Sequence, residues 1–210
     1  MIMLDNDNMS KESPATRRRA LSEQTRQEIL AAARDAFGRL GYEAASVGLI
    51  AKAAQATTGA LYHHFADKPA LFAAVAEEIE AELVLAMMKA GEATTDPWAQ
   101  LEAAAIYTLE HLLDAQIRRI VLVDAPRVLG AVAWRAVQMR YGLGLATRAL
   151  QGLSEAGLAR MADPALAAQM LLAALLQGAE AAARADDPRA ALDLVQHDLL
   201  ILLRAYRVEG

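Results

Sequence analysis

Three times the chain reads Asp-Pro, at 96–97, 163–164 and 187–188, and each time a run rich in Ala and Leu follows. That dipeptide starts helices. The Asp carboxylate accepts from free first-turn amides and sits at the positive end of the helix dipole. Proline fits the first helical position, where its missing N–H has no partner to lose. The runs are expected to be helical over about 97–116, 164–185 and 188–207. Nowhere do apolar and polar residues alternate as in a half-buried strand. The expectation is an all-α fold of about nine helices.

The rest of the chain carries similar punctuation. From Ser22, the residues Ile29, Ala33, Ala36, Phe37 and Leu40 share one helical face, and Gly41 follows where a left-handed residue ends a helix. Ser46 opens a short second helix with Val47, Ile50, Ala51 and Ala54 inside. Thr57 opens a third, with Leu61, Tyr62 and Phe65 at helical spacing. Asp67, with Pro69 behind it, caps a longer fourth helix ending near residue 90. A short helix near 117–123 is broken at 124–126, and one long helix is expected over about 128–156, ended by Gly157. Three helices, the last two short and close together, fit a helix-turn-helix.

Composition narrows the chemistry. The 210 residues are 55% hydrophobic, enough for two small domains with real cores. The chain has no cysteine, which excludes disulfides, thiolate-bound zinc and a thiol nucleophile. It has no Gly-rich phosphate loop, no Gly-x-Ser-x-Gly elbow and no His-Glu-x-x-His pair, so an enzyme is not expected. Its four histidines form no metal-ligand spacing with carboxylates. Neither a metal nor a cofactor is expected. The longest apolar runs, 170–176 and 199–203, fall far short of about 20 residues, and no apolar stretch follows the early charges as in a signal peptide. A cytoplasmic protein without a membrane segment is expected.

The net charge of −5 is unevenly spread. Residues 11–68 hold nine Lys/Arg against six Asp/Glu, about +3, whereas residues 69–210 hold twelve against eighteen, −6, and residues 1–10 add −2. An anion-facing head on an acidic body fits that division. Residues 1–21 are polar and read as a flexible basic arm carrying Arg17, Arg18 and Arg19.

The sharpest signal is TTGALYHHFADK, residues 57–68. With Ile29, Ala33, Phe37, Gly41 and Tyr42 upstream, it resembles the TetR family of repressors over residues 25–72, and its Leu-Tyr-x-His-Phe-x-x-Lys core is specific to that family. The stretch DAPRVLG at 124–130, with Trp134 and Tyr141-Gly142, is similar to the ligand domain of one subgroup. The resemblance implies a helix-turn-helix over 22–67 that binds operator DNA. It also implies a ligand-binding and dimerisation domain over 68–210. Elementary geometry agrees: a helix entering a major groove about 12 Å wide must be slim at its N-terminus, and Thr57, Thr58, Gly59 and Ala60 are small. Ser46, Thr57, Tyr62, His63, His64 and Lys68 can reach phosphates or base edges, helped by the helix dipole. Packing alone does not require that combination. Three positions depart from the family pattern. Gly48 stands where relatives carry a longer side chain, and Gln55-Ala56 replaces the usual Gly-Val of the turn. Base reading is then expected to lean on Thr, Tyr, His, DNA shape and the arginine arm.

The last two helices, over about 164–207, carry Leu166, Met170, Ala173, Ala174 and Gln177, then Leu192, Val195, Leu199, Leu202 and Tyr206. This is more apolar face than one small bundle needs. The resemblance implies that these helices form a homodimer, as two operator half-sites require. Candidate pocket residues are Met88, Trp98, Tyr107, His111, Trp134, Gln138, Tyr141 and Gln177, most of which could equally be core. The partners expected are double-stranded DNA, a small and largely apolar effector, and a second copy of the chain. Effector binding is expected to tilt the fourth helix and separate the two heads. The rival reading is a helical scaffold that binds protein, which salt dependence separates from phosphate binding.

Overall fold

The computed structural model describes residues 14–208. Among them every regular element is a helix. They are α1 (Pro14–Leu40), α2 (Val47–Ala53), α3 (Thr58–His64), α4 (Lys68–Gly91), α5 (Pro97–His111) and α6 (Ala115–Arg118). A π-helical turn (Arg119–Asp124) then leads into α7 (Ala125–Val128), α8 (Ala131–Arg140), α9 (Gly142–Glu155), α10 (Pro164–Arg184) and α11 (Pro188–Arg204). One isolated bridge, between Ala159 and Arg207, ties the end of the chain to the α9–α10 loop.

Sequence punctuation and structure agree at the starts of α2 to α5, α10 and α11. Asp67, Asp96, Asp163 and Asp187 each accept a first-turn amide, with proline in the first turn. Ser46 and Thr57 do the same through hydroxyls, to Leu49 N at 3.2 Å and Ala60 N at 3.0 Å. Gly41, at φ 82°, ends α1 as its position predicts.

Three expectations are corrected. First, α1 begins at Pro14, so the expected irregular arm is helical from there on, while residues 1–13 lie outside the described residues. Pro14 stands at the first position of that helix, and Ala15, Arg17 to Arg19, Ala20 and Leu21 all favour a helix. Second, the helix expected over 128–156 is two helices. Gly130 (φ 81°) sets off α8, and the backbone turns sharply at Tyr141. There α9 starts so close to the end of α8 that a Cβ on residue 144 would collide with the Met139 carbonyl oxygen, so Gly144 is required. Third, the 117–123 segment is a short helix, a π turn and α7. These divisions raise the helix number above nine.

α10 also departs from the hydropathy reading. By length and composition it could cross a bilayer, although its longest unbroken apolar run, 170–176, is short. Here it packs against α5, α9 and α11. Gly178 admits Val195 of α11 so closely that no side chain would fit there.

One continuous core joins the first three helices to the rest. Ile29, Phe37, Ile50 and Leu61 belong to the same buried cluster as Phe72, Leu109, Ile120, Trp134 and Leu199. A second cluster under α9 to α11 is built on Trp98, Leu143, Leu150 and Leu203. Leu40, expected on the inner face of α1, is 43% exposed, because the chain leaves the helix there.

Candidate functional site

α3 has an inner and an outer side, and its sequence explains both. Leu61 is fully buried, and Phe65 just beyond the helix is nearly so. Those two side chains fix the helix against α1 and α2. Thr57, Thr58, Gly59, Tyr62 and His63 are exposed, Ala60 and His64 half-buried. Tyr62 keeps half its surface in solvent, and His63 and His64 meet edge to face at 5.4 Å. The exposed side therefore begins with small residues and free amides and continues with hydroxyl, phenol and imidazole groups.

The turn before α3 is tight. Gln55 N donates to Lys52 O and Ala56 N to Ala51 O, the pair of bonds that closes a helix through a left-handed residue. That residue is Gln55, at φ 53°. A side chain there is strained by about 1 kcal/mol relative to glycine. Gln55→Gly is therefore expected to raise stability by about 0.5–1 kcal/mol, a shift of a few degrees in melting temperature. An unchanged or lower value would show that the Gln55 side chain supplies something that offsets the strain.

Lys68 serves the head from behind. Its ammonium lies 4.3 Å from the Tyr42 ring centroid and donates to Glu43 O at 3.4 Å, binding the start of α4 to the loop after α1. Tyr42 in turn stacks on Phe37 and meets Phe72 edge to face. Ser46 is exposed at the start of α2. Arg17, Arg18 and Arg19 are exposed on α1. As successive helical residues they fan out about 100° apart, so they cannot all face one surface.

A second site lies between α4, α5, α9, α10 and α11. It is a cavity of about 120 Å³ that opens to solvent on one side. Aliphatic side chains such as Leu83, Leu101, Leu150, Leu171 and Leu175 make up most of its wall. Four polar residues interrupt it: Glu80, Thr108, His111 and Gln138. Glu80 is 9% exposed and, among the described residues, carries no hydrogen bond or ion pair. Burial pushes its carboxyl up to about 7. Thr108 Oγ1 donates to Ala104 O at 2.8 Å and also lies 3.2 Å from Met87 Sδ. His111 stacks on Tyr107, and its Nε2 is buried without a partner. Burial, with Arg34 nearby, lowers its pKa.

Of the pocket candidates read from sequence, only His111 and Gln138 line this cavity. Trp98 is core, its indole N–H donating to Leu158 O at 3.3 Å. Trp134 is core as well. Tyr107 stands behind His111, and Tyr141 marks the α8–α9 turn. Gln177 is exposed on α10. Met88 is 57% exposed and borders an outer groove that shares Met87, Leu101, Ala104, Gly142 and Ala146 with the cavity. Glu80 and Thr108 also line it, and the sequence does not mark them: AAVAEEIEAEL gives no sign of which carboxylate turns inward.

The π turn links the two sites. Ile117 of α6 and Val121 and Leu122 of the turn line the cavity. From the same turn, Asp124 Oδ2 accepts from Tyr42 N at 2.9 Å, and Arg119 Nη1 donates to Gly38 O at 3.2 Å and to Arg39 O. One short segment thus touches the cavity and grips the end of α1.

A buried-and-exposed short helix after a tight turn, set on a helical bundle with an apolar cavity, defines a helix-turn-helix protein. Residues 29–75 match the model of the bacterial regulatory proteins of the tetR family, and residues 98–206 match that of the tetracyclin repressor-like C-terminal domain. The chain belongs to the TetR family. A TetR-family transcriptional regulator from Pectobacterium atrosepticum has a similar structure, with a TM-score of 0.75 and 34% identity, covering 91% of this chain and 98% of that one. The transcriptional regulator AcrR of Shigella flexneri is 35% identical over 102 residues, 48% of this chain and 47% of AcrR. The transcriptional repressor AcnR of Corynebacterium efficiens is 46% identical over 59 residues, 28% of this chain and 31% of AcnR. The chain thus matches half or less of the length of these curated relatives. The family is one of DNA-binding regulators, not enzymes; its members bind operators and small effectors and act as dimers.

Proposed function

We propose that this chain is a cytoplasmic one-component repressor that leaves a palindromic operator when a small, largely apolar effector enters the cavity. The observation that carries the reading is the outer side of α3, where Thr57, Thr58, Gly59, Ala60, Tyr62 and His63 form a slim, hydrogen-bonding edge held rigid by Leu61. Ser46, His64 and Lys68 flank it. Lys68 is already engaged with Tyr42, so its part is to set the helix. The arginines of α1 supply nonspecific attraction to phosphate.

Two heads are needed to span half-sites about 34–36 Å apart. The dimer is assigned to α10 and α11, where Leu166, Met170, Leu194, Ile201 and Leu202 are all more than half exposed. Leu192 and Leu199, included in the same expectation, are buried within the subunit instead. Effector in the cavity presses on α4 and on the π turn. The turn moves the end of α1 through Asp124 and Arg119. Release follows if the effector binds the separated state better than the operator-bound one.

The test is footprinting on the DNA upstream of the chain's own gene, beside Tyr62→Ala. Wild type should protect a palindrome, with affinity falling steeply as salt rises. Loss of the phenol should weaken binding by about 10–100-fold. A folded wild-type protein that shows no salt-sensitive binding to that DNA or to a random-sequence library would overturn the reading.

A further inference from the structure

The reading of the cavity as an effector site leaves the chemical class of the effector open. We propose that it is a hydrophobic amine, its aliphatic body in the cavity and its protonated nitrogen on the Glu80 carboxylate. This rests on the cavity being the effector site.

Three observations carry the choice. Glu80 is the only charged side chain among the lining residues, and it is more than nine-tenths buried with no partner. A buried carboxylate without a partner is costly, and a ligand that supplies a charged donor removes the cost. No Lys or Arg lines the cavity, so an acidic ligand would meet a like charge and nothing to offset it. None of the other three polar lining residues, Thr108, His111 and Gln138, hydrogen-bonds the carboxylate. Thr108 is engaged with Ala104, and His111 Nε2 is free for a second polar group on the ligand.

The proposal implies a pH dependence. Burial holds the Glu80 proton until about pH 7, so an amine must displace it at lower pH. The other charged groups on the surrounding elements do not line the cavity. On α4, Glu77 pairs with Arg140 of α8, and Glu82 pairs with Arg34 of α1. On α5, His111 is the one titratable lining residue. On α9, Arg148 lies beside Gly144. The lining residues of α10 and α11 are all apolar. Amine affinity should therefore rise with pH, by up to about tenfold per unit below pH 7, and level off above it.

The experiment is calorimetric titration of the full chain with octylamine, 1-octanol and octanoate at pH 8, on wild type and Glu80→Gln. Octylamine should bind wild type about tenfold or more tightly than octanol, with octanoate weakest. Glu80→Gln should bring octylamine down to the level of octanol and flatten the pH slope. Equal binding of octanol and octylamine to wild type, or octylamine binding unchanged in Glu80→Gln, overturns the amine class and leaves the cavity a ligand site. No binding of any of the three, at pH 6 or 8, overturns the class and the effector-site reading together. Should Glu80→Gln fail to fold, the pH slope of wild type decides alone, and a flat slope overturns the proposal.

Discussion

Glu80→Gln without ligand is expected to stabilise the protein at pH 8 and to change little at pH 4. The Glu80 carboxyl is pushed up to about 7 by burial, against about 4.3 in an unfolded chain. The folded state therefore binds this proton more tightly than the unfolded state. Its contribution is fully present below about pH 4, is lost as pH rises through about 4 to 7, and is absent above. The difference is worth roughly 3–4 kcal/mol, at 1.36 kcal/mol per pH unit. Glutamine has nearly the same shape and never ionises, so Glu80→Gln should keep at pH 8 the stability that wild type loses, a rise of about 5–10 °C in melting temperature. Thermal melts of both proteins at half-unit steps from pH 4 to 8 check this. Parallel curves would show that Glu80 is not desolvated in solution, and would remove the driving force assigned to the amine. The native Glu at a position where Gln is more stable is then explained by ligand binding, since sites often hold groups that cost stability.

Phe37→Ala is expected to cost about 3–5 kcal/mol, the range for a fully buried Phe reduced to Ala. Phe37 has no solvent exposure and meets the Phe72 ring edge to face at 5.1 Å and the Tyr42 ring at 5.8 Å. Its loss leaves a cavity between α1 and α4 and loosens Tyr42, on which Lys68 rests. Because one core runs from this cluster to Leu199, the damage should appear as a single transition shifted down by roughly 10 °C, with operator binding lost at the same temperature. A melt that splits into two transitions, or shifts by less than about 3 °C, would show that the head folds independently of the body.

The head was legible from sequence because its information is local. Caps at Ser46, Thr57 and Asp67, a left-handed Gly41, and apolar residues at helical spacing all act within one or two turns. Small residues at the start of α3, with Tyr62 and His63 after them, could be placed on its outer side from the register of Leu61 and Phe65. The starts of α4, α5, α10 and α11 were legible for the same reason.

What sequence could not supply was any property that depends on how helices approach one another. The break at Tyr141 depends on the carbonyl of Met139 meeting Gly144. A Gly-Leu-Gly run within a helical pattern does not say whether its glycines are tolerated or required. Trp98 and Trp134 suggested pocket walls by size, yet packing made them core, while the cavity was lined by Leu and Ala, which carry no distinguishing mark. Glu80 looks like any of its neighbouring glutamates on paper. Only the packing of α5 and α9 against α4 strips its water away, and that desolvation, a tertiary effect, turns an ordinary carboxylate into the group on which ligand choice turns.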